Sequence, residues 1–441
     1  MSRRRLGHPQ GPGRATDAGG PRTAIVGSGI SGLTVAHHLH RRCDITLFES
    51  QRRMGGHSHT VEVDDPAGPL QVDTGFIVFN SWTYPCFEAL LAELGVATQD
   101  STMSFSVRCE ASGLEYNGTT VDSLFAQRRN LLRPSFLRMV CDIVRFNRRA
   151  RAWLSSGEPD LPFRDFLARE RFSRELLELY VVPMGAAIWS ADPASVGDMP
   201  ARFFLRFFDN HGMLSVDDRP TWKVVSGGSA RYVEALVAPF RERVRLAEPV
   251  LGVRRLAHGV ELRTARGIER FDQVVLATHS DQALALLEDP SPAEREILGA
   301  LRYQRNEVVL HRDGRLLPRA RKARAAWNYH RLAGAPGTGA EESRPVAVTY
   351  WMNALQRLET DVPLLVTLNR TDAIDPRTVL GAFTMEHPVF DRAGVAAQER
   401  HAEISGAVRR THYCGAYWRY GFHEDGVWSG LRVAPALGAE P

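Results

Sequence analysis

A short run near the amino end constrains this chain more than any other feature. A strand pattern over Thr23–Val26 leads into a G-x-G-x-x-G turn at Gly27, Gly29 and Gly32, where a helix pattern begins. The next strand pattern ends in Glu49, twenty-two residues after Gly27. Strand, turn, helix and acid in this order and spacing are typical of a dinucleotide-binding βαβ unit. A glycine-rich turn without a ligand is the alternative.

Each glycine has a separate task in such a unit. Gly27 permits a tight turn, Gly29 removes the Cβ that would keep a pyrophosphate from the backbone, and Gly32 lets helix and strand pack closely. Ile30 and Ser31 lie at the helix N-terminus, where unpaired N–H groups and the helix dipole favour an anion. We therefore predict that these five residues surround a diphosphate.

A second glycine turn follows the acid directly. The run 51–57 contains an arginine and then a glycine pair. Paired glycines allow a further close backbone approach, and an arginine adds a cation beside the phosphates of a long dinucleotide. A solvated surface turn is the alternative. The predicted contacts from this region are Glu49, whose carboxylate would accept hydrogen bonds from a ribose diol, with Ser50, Arg53, Gly55, Gly56 and His57.

Length and composition fit a two-domain enzyme. Of the 441 residues, 44% are hydrophobic and 24% are charged, as in ordinary globular proteins. The net charge of +4 is too small to predict a nucleic-acid partner. Five scattered cysteines, without C-x-x-C spacing, argue against a disulfide framework or a zinc site. They indicate a reducing, cytoplasmic location and no metal.

The first 22 residues are rich in arginine, glycine and proline. No apolar stretch follows the twin arginines, so this pattern predicts a disordered basic tail rather than an export signal. No run of about 18 apolar residues predicts a membrane-spanning helix.

A basic amphipathic segment runs from residue 128 to residue 153. It contains eight arginines and a single acid, Asp142. The interleaved apolar residues are Leu131, Leu132, Phe136, Leu137, Val140, Ile143, Val144 and Phe146. Such a segment is typical of a helix on an anionic membrane surface. It is also typical of a domain helix with its apolar side in the core. Both interpretations stay open, so peripheral membrane contact is an alternative to a purely cytoplasmic protein.

Several longer runs carry a family resemblance. Runs 51–57, 272–278 and 413–426 are similar to cofactor-binding segments of the flavin amine oxidase and phytoene desaturase superfamily. Other runs resemble a bacterial family of predicted NAD/FAD-binding oxidoreductases, itself similar to the flavin module fused to plant cyclopropane fatty acid synthases. These runs are 72–80, 125–135, 184–190, 203–212, 365–369 and 421–426.

The resemblance implies an α/β fold with FAD as cofactor. A discontinuous Rossmann-like FAD-binding domain would comprise 23–80, 221–299 and 405–441, and a mixed α+β substrate domain would comprise 81–220 and 300–404. It adds predicted FAD contacts at Val250, Ala277, Gly415, Glu424, Asp425 and Gly426. His57 departs from the family, which usually has arginine there.

The coarse pattern places helices and strands in both parts. Helices are predicted over 84–94, 135–153, 163–169, 173–180 and 427–436. Strands are predicted over 307–311, 346–351 and 364–368, and a surface loop over 333–344.

The resemblance also suggests a reaction. It implies hydride transfer to or from a long apolar substrate, a lipid acyl chain, and an acyl-chain methyltransferase as partner. Many flavin amine oxidases carry a lysine that reaches the flavin through water. The matching strand here, 303–310, has none, which favours a desaturase or reductase. The alternatives are an amine oxidase and a non-catalytic FAD-binding accessory subunit of the methyltransferase.

No catalytic acid or base stands out. The candidate polar groups beside the flavin are His57, Asn306, Trp351 and His423, each with a purely structural role as the alternative. Trp189 is a candidate wall of an acyl channel, and Tyr417 and Trp418 are candidate walls beside the flavin ring. A place in the core is the alternative for these three.

Overall fold

The computed structural model describes residues 20–66, 68–215, 219–332, 345–406 and 409–438. Residues 1–19 of the predicted tail and the whole predicted loop over 333–344 lie outside the described residues.

The described chain alternates strands and helices. The strands are β1 (Arg22–Val26), β2 (Asp44–Phe48), β3 (Thr60–Val63), β4 (Leu70–Asp73), β5 (Phe79–Asn80), β6 (Thr98–Asp100), β7 (Phe105–Cys109), β8 (Leu114–Asn117), β9 (Trp222–Val225), β10 (Val244–Arg245), β11 (Gly252–Leu256), β12 (Gly259–Thr264), β13 (Gly267–Phe271), β14 (Gln273–Leu276), β15 (Arg302–His311), β16 (Trp327–Arg331), β17 (Val348–Trp351), β18 (Leu365–Leu368), β19 (Val379–Val389) and β20 (Thr411–Tyr413). The helices are α1 (Ile30–Leu39), α2 (Pro85–Glu93), α3 (Val121–Leu124), α4 (Pro134–Ser155), α5 (Phe163–Arg169), α6 (Arg174–Leu176), α7 (Val182–Trp189), α8 (Ala201–Asn210), α9 (Ala230–Val237), α10 (Ser280–Leu286), α11 (Pro292–Ala300), α12 (Met352–Leu355), α13 (Arg392–Glu399), α14 (His401–Ile404) and α15 (His423–Val433).

A five-stranded parallel sheet forms the first layer, in the order β10-β2-β1-β14-β20. Its central strands are apolar and fully buried, as expected for a parallel sheet covered on both faces. Because all five strands run in one direction, their carboxyl ends share one edge. Gly27, Glu49, Ala277 and Gly415 lie just beyond those ends, at the edge where α/β sheets bind ligands.

A seven-stranded sheet forms the second large layer, in the order β19-β15-β18-β17-β16-β7-β8. Only β16 and β7 pair in parallel, and β15 and β19 pair antiparallel over ten residues of β15. One face of this sheet packs into a large apolar core with α4, α5, α7 and α8. Three smaller sheets complete the described part of the fold: β11-β12-β13, β3-β4 and β5-β9-β6.

Most predicted elements are confirmed with small shifts at their ends. The helices predicted over 84–94, 135–153 and 163–169 correspond to α2, α4 and α5, and the three predicted strands correspond to β15, β17 and β18. The helix predicted over 173–180 is interrupted, because Leu177–Val181 forms a π-helical turn between α6 and α7.

The last helix starts four residues earlier than predicted. It begins at His423 rather than Val427, because the Asp425 carboxylate accepts a hydrogen bond from the Phe422 backbone N–H at 2.9 Å and stabilises the first turn.

The division into two domains stays a prediction. Packing crosses its proposed boundary at residue 80, because Phe87, Leu90 and Leu91 of α2 share an apolar core with α1 and α9. No helix of the described residues is both long and apolar enough to cross a membrane. The five cysteines are free thiols.

Helices α1 and α15 touch through two glycines. A Cβ on Gly426 would lie 2.6 Å from Cγ2 of Ile30, and a Cβ on Gly430 would lie 2.9 Å from the carbonyl oxygen of Ser31. Both distances are far below van der Waals contact, so only glycine lets the backbones approach this closely. The contact places the N-terminus of α15 beside that of α1.

We expect Gly430→Ala to destabilise the protein by about 1–3 kcal/mol, because the added methyl overpacks the contact with Ser31. Gly299→Ala in α11 is the matched control, since its Cβ would meet only Leu284, at 3.9 Å. This control should leave the free energy of unfolding unchanged or raise it by up to about 1 kcal/mol, because alanine has a higher helix propensity than glycine. Thermal unfolding of both variants measures the difference. Equal melting temperatures would show that α1 and α15 do not depend on this contact.

Candidate functional site

The two glycine turns meet at the edge of the parallel sheet. The Gly55 N–H donates to the Ser28 carbonyl oxygen at 2.9 Å, and Gly29 and Gly55 form an isolated parallel bridge. A Cβ on Gly56 would lie 3.1 Å from Cα of Gly29. Around a Cβ placed on Gly29, by contrast, there is no atom within 4 Å in the described residues. The turns therefore pack against each other and leave Gly29 facing open space.

The first turn also packs tightly on its other side. Gly27 has φ +104° and would clash with the Ala277 carbonyl oxygen at 2.7 Å if it carried a Cβ. A Cβ on Gly32 would lie 2.1 Å from the Gly27 carbonyl oxygen and 3.0 Å from the Ala277 Cβ. Ala277 thus lines the base of the turn, and its predicted contact with FAD stays a prediction.

Glu49 is buried and its carboxylate is fully engaged by protein donors. One oxygen accepts from the Ser28 N–H at 3.0 Å and from the Ser28 hydroxyl at 2.5 Å. The other accepts from the Gln51 N–H at 2.8 Å and from the Ser50 hydroxyl at 3.2 Å. A carboxylate has about four acceptor positions, so a ribose diol at Glu49 would compete with the two serine hydroxyls.

Val250 lies close to the same loop. The Glu248 N–H donates to the Glu49 carbonyl oxygen at 2.9 Å, and the Ala247 N–H donates to Gln51 at 2.8 Å. Val250 itself is buried among residues that cover the sheet. The middle segment therefore reaches the acid-bearing loop, and the FAD contact that the resemblance implies for Val250 stays a prediction.

Arg53 is a half-buried cation with weak protein contacts. Its guanidinium donates to the carbonyl oxygens of Met54 at 3.5 Å and Ser58 at 3.4 Å, and it forms no ion pair with a carboxylate of the described residues. Burial lowers the pKa of Arg53. Helix α1 begins nearby at Gly29 without a side-chain cap or an acid in its first turn. An unpaired cation beside an uncapped helix N-terminus suits a diphosphate.

The start of α15 is built mainly from structural contacts. Glu424 accepts hydrogen bonds from the backbone N–H groups of Cys86 at 3.1 Å and Phe87 at 2.9 Å, so its carboxylate caps α2. Asp425 caps its own helix, and burial raises its pKa to about 7. These side chains are therefore committed to helix capping, which leaves only their backbone to serve as the predicted cofactor contacts.

Gly426 and Gly415 are two further predicted contacts. Gly426 lies in α15 and packs on Ile30 and Ser31 at the start of α1. The Gly415 N–H donates to the hydroxyl of Ser429 in α15 at 3.1 Å.

His423 is buried in a hydrogen-bonded network. Its Nε2 lies 3.0 Å from the Ser58 hydroxyl and 2.9 Å from the Tyr232 hydroxyl, and its ring stacks on Phe76 at 3.5 Å. Burial lowers the pKa of His423 well below its usual value. These contacts assign His423 a structural role.

A cluster of histidines lies beside the second glycine turn, and we name it the imidazole cluster: His57, His279 and His387, with Asn306. The His57 ring lies 5.3 Å from the His387 ring and 6.2 Å from the His279 ring. Asn306 is fully buried, and its Nδ2 lies 3.0 Å from Nδ1 of His387. Nε2 of His57 is buried and has no hydrogen-bond partner among the described residues.

The imidazole cluster is electrically neutral at physiological pH. Burial, with smaller repulsion from His279, lowers the pKa of His57 to about 4. Burial, with repulsion from the other two rings, lowers the pKa of His387 to about 3. Burial also lowers the pKa of His279, whose Nδ1 lies 3.5 Å from the Glu386 carboxylate. In the described part of the chain, no group of three potential ligands could hold a metal ion.

Trp351 lies apart from the imidazole cluster, and its place beside the flavin stays a prediction. It packs with Val309 and Leu365 on one face of the seven-stranded sheet. Side chains alternate along a strand, so Asn306 and Val309 of β15 point to opposite faces. Tyr417 and Trp418 are each 3% exposed within the core beneath the parallel sheet, as the core interpretation of these two residues predicted.

Aromatic side chains adjoin the imidazole cluster, and we name them the aromatic wall. They are Trp189, Phe203, Phe207, Phe390, Tyr420 and Phe422, with ring separations of 4.7–5.1 Å between several pairs. Trp189 donates from its indole N–H to the Tyr420 carbonyl oxygen at 3.1 Å. The Asn306 amide donates to the carbonyl oxygen of the next residue, Ser190, at 3.1 Å. The wall and the cluster are therefore directly connected.

Two members of the imidazole cluster were missed by sequence reasoning. His279 directly follows the run 272–278 that carried the resemblance, so its position at the sheet edge was a usable signal. His387 lies on β19 and reaches the site only through the pairing of β19 with β15, which no local pattern indicates.

The comparisons with known proteins agree with this geometry. Residues 30–310 match the family model of flavin containing amine oxidoreductases. This chain belongs to that family. FAD is its cofactor, and it is a flavin-dependent oxidoreductase.

Solved structures of the same fold differ in what they act on. Cyclohexylamine oxidase from Brevibacterium oxydans IH-35A has a TM-score of 0.67 and 16% identity, over 95% of this chain and 98% of that one. A CLA-producing fatty acid isomerase from P. acnes also has a TM-score of 0.67 and 16% identity, over 96% and 99%. Reduced UDP-galactopyranose mutase has a TM-score of 0.65 and 15% identity, over 94% of each chain. At such identities the likeness establishes the fold, so the substrate must be argued from the site.

The pKa of His387 makes stability depend on pH. The unfolded imidazole binds a proton below about pH 6.5, whereas the folded one stays neutral down to about pH 3. Stability is therefore lost as the pH falls through this window. Between pH 7.5 and pH 5 the loss from His387 is roughly 1–2 kcal/mol. We expect His387→Gln to show a smaller fall in melting temperature over that range than the wild-type protein. If the melting temperatures of the two proteins changed in parallel with pH, His387 would not be the neutral group inferred here.

Proposed function

We propose that the two glycine turns, Arg53 and the N-termini of α1 and α15 hold FAD, with its flavin ring beside the imidazole cluster. Three observations support this placement. Gly29 faces open space, Arg53 has no carboxylate partner among the described residues, and α1 lacks a cap. The predicted contacts Gly27, Gly32, Gly55, Gly56, His57, Ala277 and Gly426 all border the same turn.

We further propose that the enzyme exchanges a hydride with a lipid acyl chain. One observation carries this proposal: the aromatic wall is in contact with the neutral imidazole cluster. Trp189 of the wall precedes Ser190, whose carbonyl oxygen accepts a hydrogen bond from Asn306 of the cluster. An apolar chain gains free energy by leaving water against such a wall. Neither the wall nor the cluster contains a cation at neutral pH, and Asn306 stands on the strand where many amine oxidases carry a lysine.

Bound FAD supplies a two-electron acceptor or donor for a C–H bond. The chain's own residues would do the rest. The aromatic wall would orient the acyl chain and exclude water from it. When a double bond forms, a proton leaves the carbon next to the one that loses hydride. His57 would hold that proton at Nε2, the atom without a partner among the described residues. In the reverse direction His57 would return it.

The finer family resemblance points the same way. The runs that resemble a bacterial oxidoreductase family, itself similar to the flavin module fused to plant cyclopropane fatty acid synthases, support acyl-chain chemistry, with an acyl-chain methyltransferase as the proposed partner. Amine oxidation is the second candidate, favoured by the description of the matched family.

The placement of FAD predicts a variant that folds without flavin. Gly29→Val should fold, because an added side chain meets open space and the backbone of Gly29 is extended. The side chain would occupy the diphosphate position, so flavin content per polypeptide should fall at least tenfold. Gly118→Val, at another glycine with open space, is the matched control and should stay yellow. Absorbance at 450 nm measures both. A Gly29→Val protein with full flavin content would refute the placement.

The proposed reaction is tested under anaerobic conditions with the purified holoprotein and phospholipids that carry saturated, monounsaturated or methyl-branched acyl chains. We expect one class to bleach the oxidised flavin, or to reoxidise the dithionite-reduced flavin, with a mass change of two hydrogens in the chain. Gly29→Val is the flavin-free control. Bleaching by amines with hydrogen peroxide release in air would establish the amine oxidase instead. Bound FAD that responds to no lipid or amine, with copurification of a methyltransferase, would establish the accessory subunit.

A further inference from the structure

An exposed apolar and basic surface lies far along the chain from the FAD turns. Five of the eleven large hydrophobic side chains that are exposed in the described residues fall between residues 121 and 144. They are Val121, Leu131, Leu132, Leu137 and Val144, with exposed fractions of 75%, 48%, 87%, 39% and 65%. Single exposed apolar residues are normal, whereas a concentration of them marks an interaction surface.

Helix α4 carries part of this surface as a stripe. Leu137, Cys141, Val144 and Arg148 are all exposed and follow the i, i+4, i+7, i+11 spacing of one helix face. The opposite side of α4 is core: Phe136, Met139, Phe146, Ala150 and Trp153 are buried. Some apolar residues of this segment therefore lie in the core, as in an ordinary domain helix. Others face water, as in a helix that binds a surface.

The charge around these residues is strongly positive. Arg129, Arg133, Arg148, Arg319 and Arg321 form no ion pair with a carboxylate of the described residues. The turn that carries Arg321 packs on α3, so residues 319–324 extend the same basic region. Asp122 pairs with both Arg128 and Lys322, at 2.5 Å and 2.7 Å. The Glu115 carboxylate accepts from the backbone N–H groups of Arg319 and Ala320. The two carboxylates are fewer than the cations around them.

We propose that this surface docks on an anionic phospholipid bilayer. We name it the docking face, and it comprises Val121, Leu131, Leu132, Leu137 and Val144 with Arg128, Arg129, Arg133, Arg148, Arg319, Arg321 and Lys322. The apolar side chains enter the boundary between headgroups and acyl chains, and the arginines bind lipid phosphates. An acidic protein would satisfy the cations alone, but a bilayer also removes the isolated leucines and valines from water.

Helix α8 connects the docking face to the aromatic wall. On one side Phe208 lies 6.5 Å from Phe146 of α4, and on the other side Phe207 lies 4.8 Å from Trp189. Docking through α4 therefore places the bilayer one helix away from the aromatic wall. Delivery of an acyl chain along this path rests on the proposed function, whereas the docking itself does not.

Cosedimentation with vesicles tests the docking. The wild-type holoprotein is mixed with large vesicles of phosphatidylcholine containing 30 mol% phosphatidylglycerol, or of phosphatidylcholine alone, in 0.1 M and 0.5 M NaCl. We expect binding to the anionic vesicles at least tenfold tighter than to the neutral ones, with most of the difference lost at high salt.

Variants separate the apolar and the cationic contributions. Leu132→Glu and the double variant Arg129→Glu/Arg133→Glu should each weaken binding to the anionic vesicles at least tenfold. Ile268→Glu and Arg392→Glu are the matched controls, since both residues are exposed and lie outside the docking face. The controls should bind like the wild-type protein.

The results also separate this proposal from the proposed function. Flavin-free Gly29→Val should still bind vesicles, because docking does not use the cofactor. The docking face would be overturned if the wild-type protein did not bind vesicles, or if Ile268→Glu and Leu132→Glu weakened vesicle binding equally. Either result would leave the test of the reaction with isolated lipids unaffected. Binding to a purified methyltransferase through the same residues, without vesicle binding, would assign the surface to a protein partner instead.

Discussion

The candidate site depends on close packing of several backbone segments around the turn between β1 and α1. The second glycine turn lies against Gly29, α15 lies against Ile30, and the end of β14 lies under Gly27 and Gly32. Each approach is closer than a Cβ would permit, so glycine at these positions sets the geometry. The same crowding leaves one direction open, above Gly29, and that direction is lined by unpaired N–H groups and the Arg53 guanidinium. Tight packing on three sides thus leaves the fourth side open, where we propose that the diphosphate binds.

The imidazole cluster and the surface around α3 and α4 differ in charge. The cluster itself consists of neutral imidazoles and an amide, because the surrounding protein disfavours protonated histidine, although Arg53 and Glu386 lie beside it. Near the surface, arginines outnumber carboxylates around α3 and α4. A neutral interior suits an apolar substrate, and a basic exterior suits the anionic surface from which such a substrate would come. The two properties are physically independent, so their occurrence in one chain strengthens the case for a lipid.

Much of the fold could be predicted from local sequence signals. The βαβ unit, the second glycine turn and the helix over 135–153 were all correct, since each is specified by residues close together in the chain. The start of α15 was placed four residues late, because the capping contact of Asp425 is a side-chain interaction that hydropathy does not reveal. The sequence did not indicate which sheet face carries Trp351, since the alternation of a strand cannot be anchored without knowing its partners.

The histidines show the limit of sequence reasoning most clearly. His57 was found through its neighbouring glycines, while His387 comes from a strand 330 residues later and is brought to the site by the antiparallel pairing of β19 with β15. Glu49 and Glu424 were predicted as cofactor contacts, but the protein donors that engage their carboxylates, from Ser28 and from α2, could not be predicted. Residue type therefore indicated which segments border the proposed site, and tertiary pairing determines which contacts each side chain makes there.

A crystal structure of the purified protein with its resident cofactor tests the central claim most directly. Density for a diphosphate should lie within hydrogen-bond distance of the first backbone N–H groups of α1, above Gly29 and near Arg53, with the flavin ring beside His57 and His387. A cofactor bound elsewhere, or a groove filled by side chains in protein that carries no flavin, would contradict it.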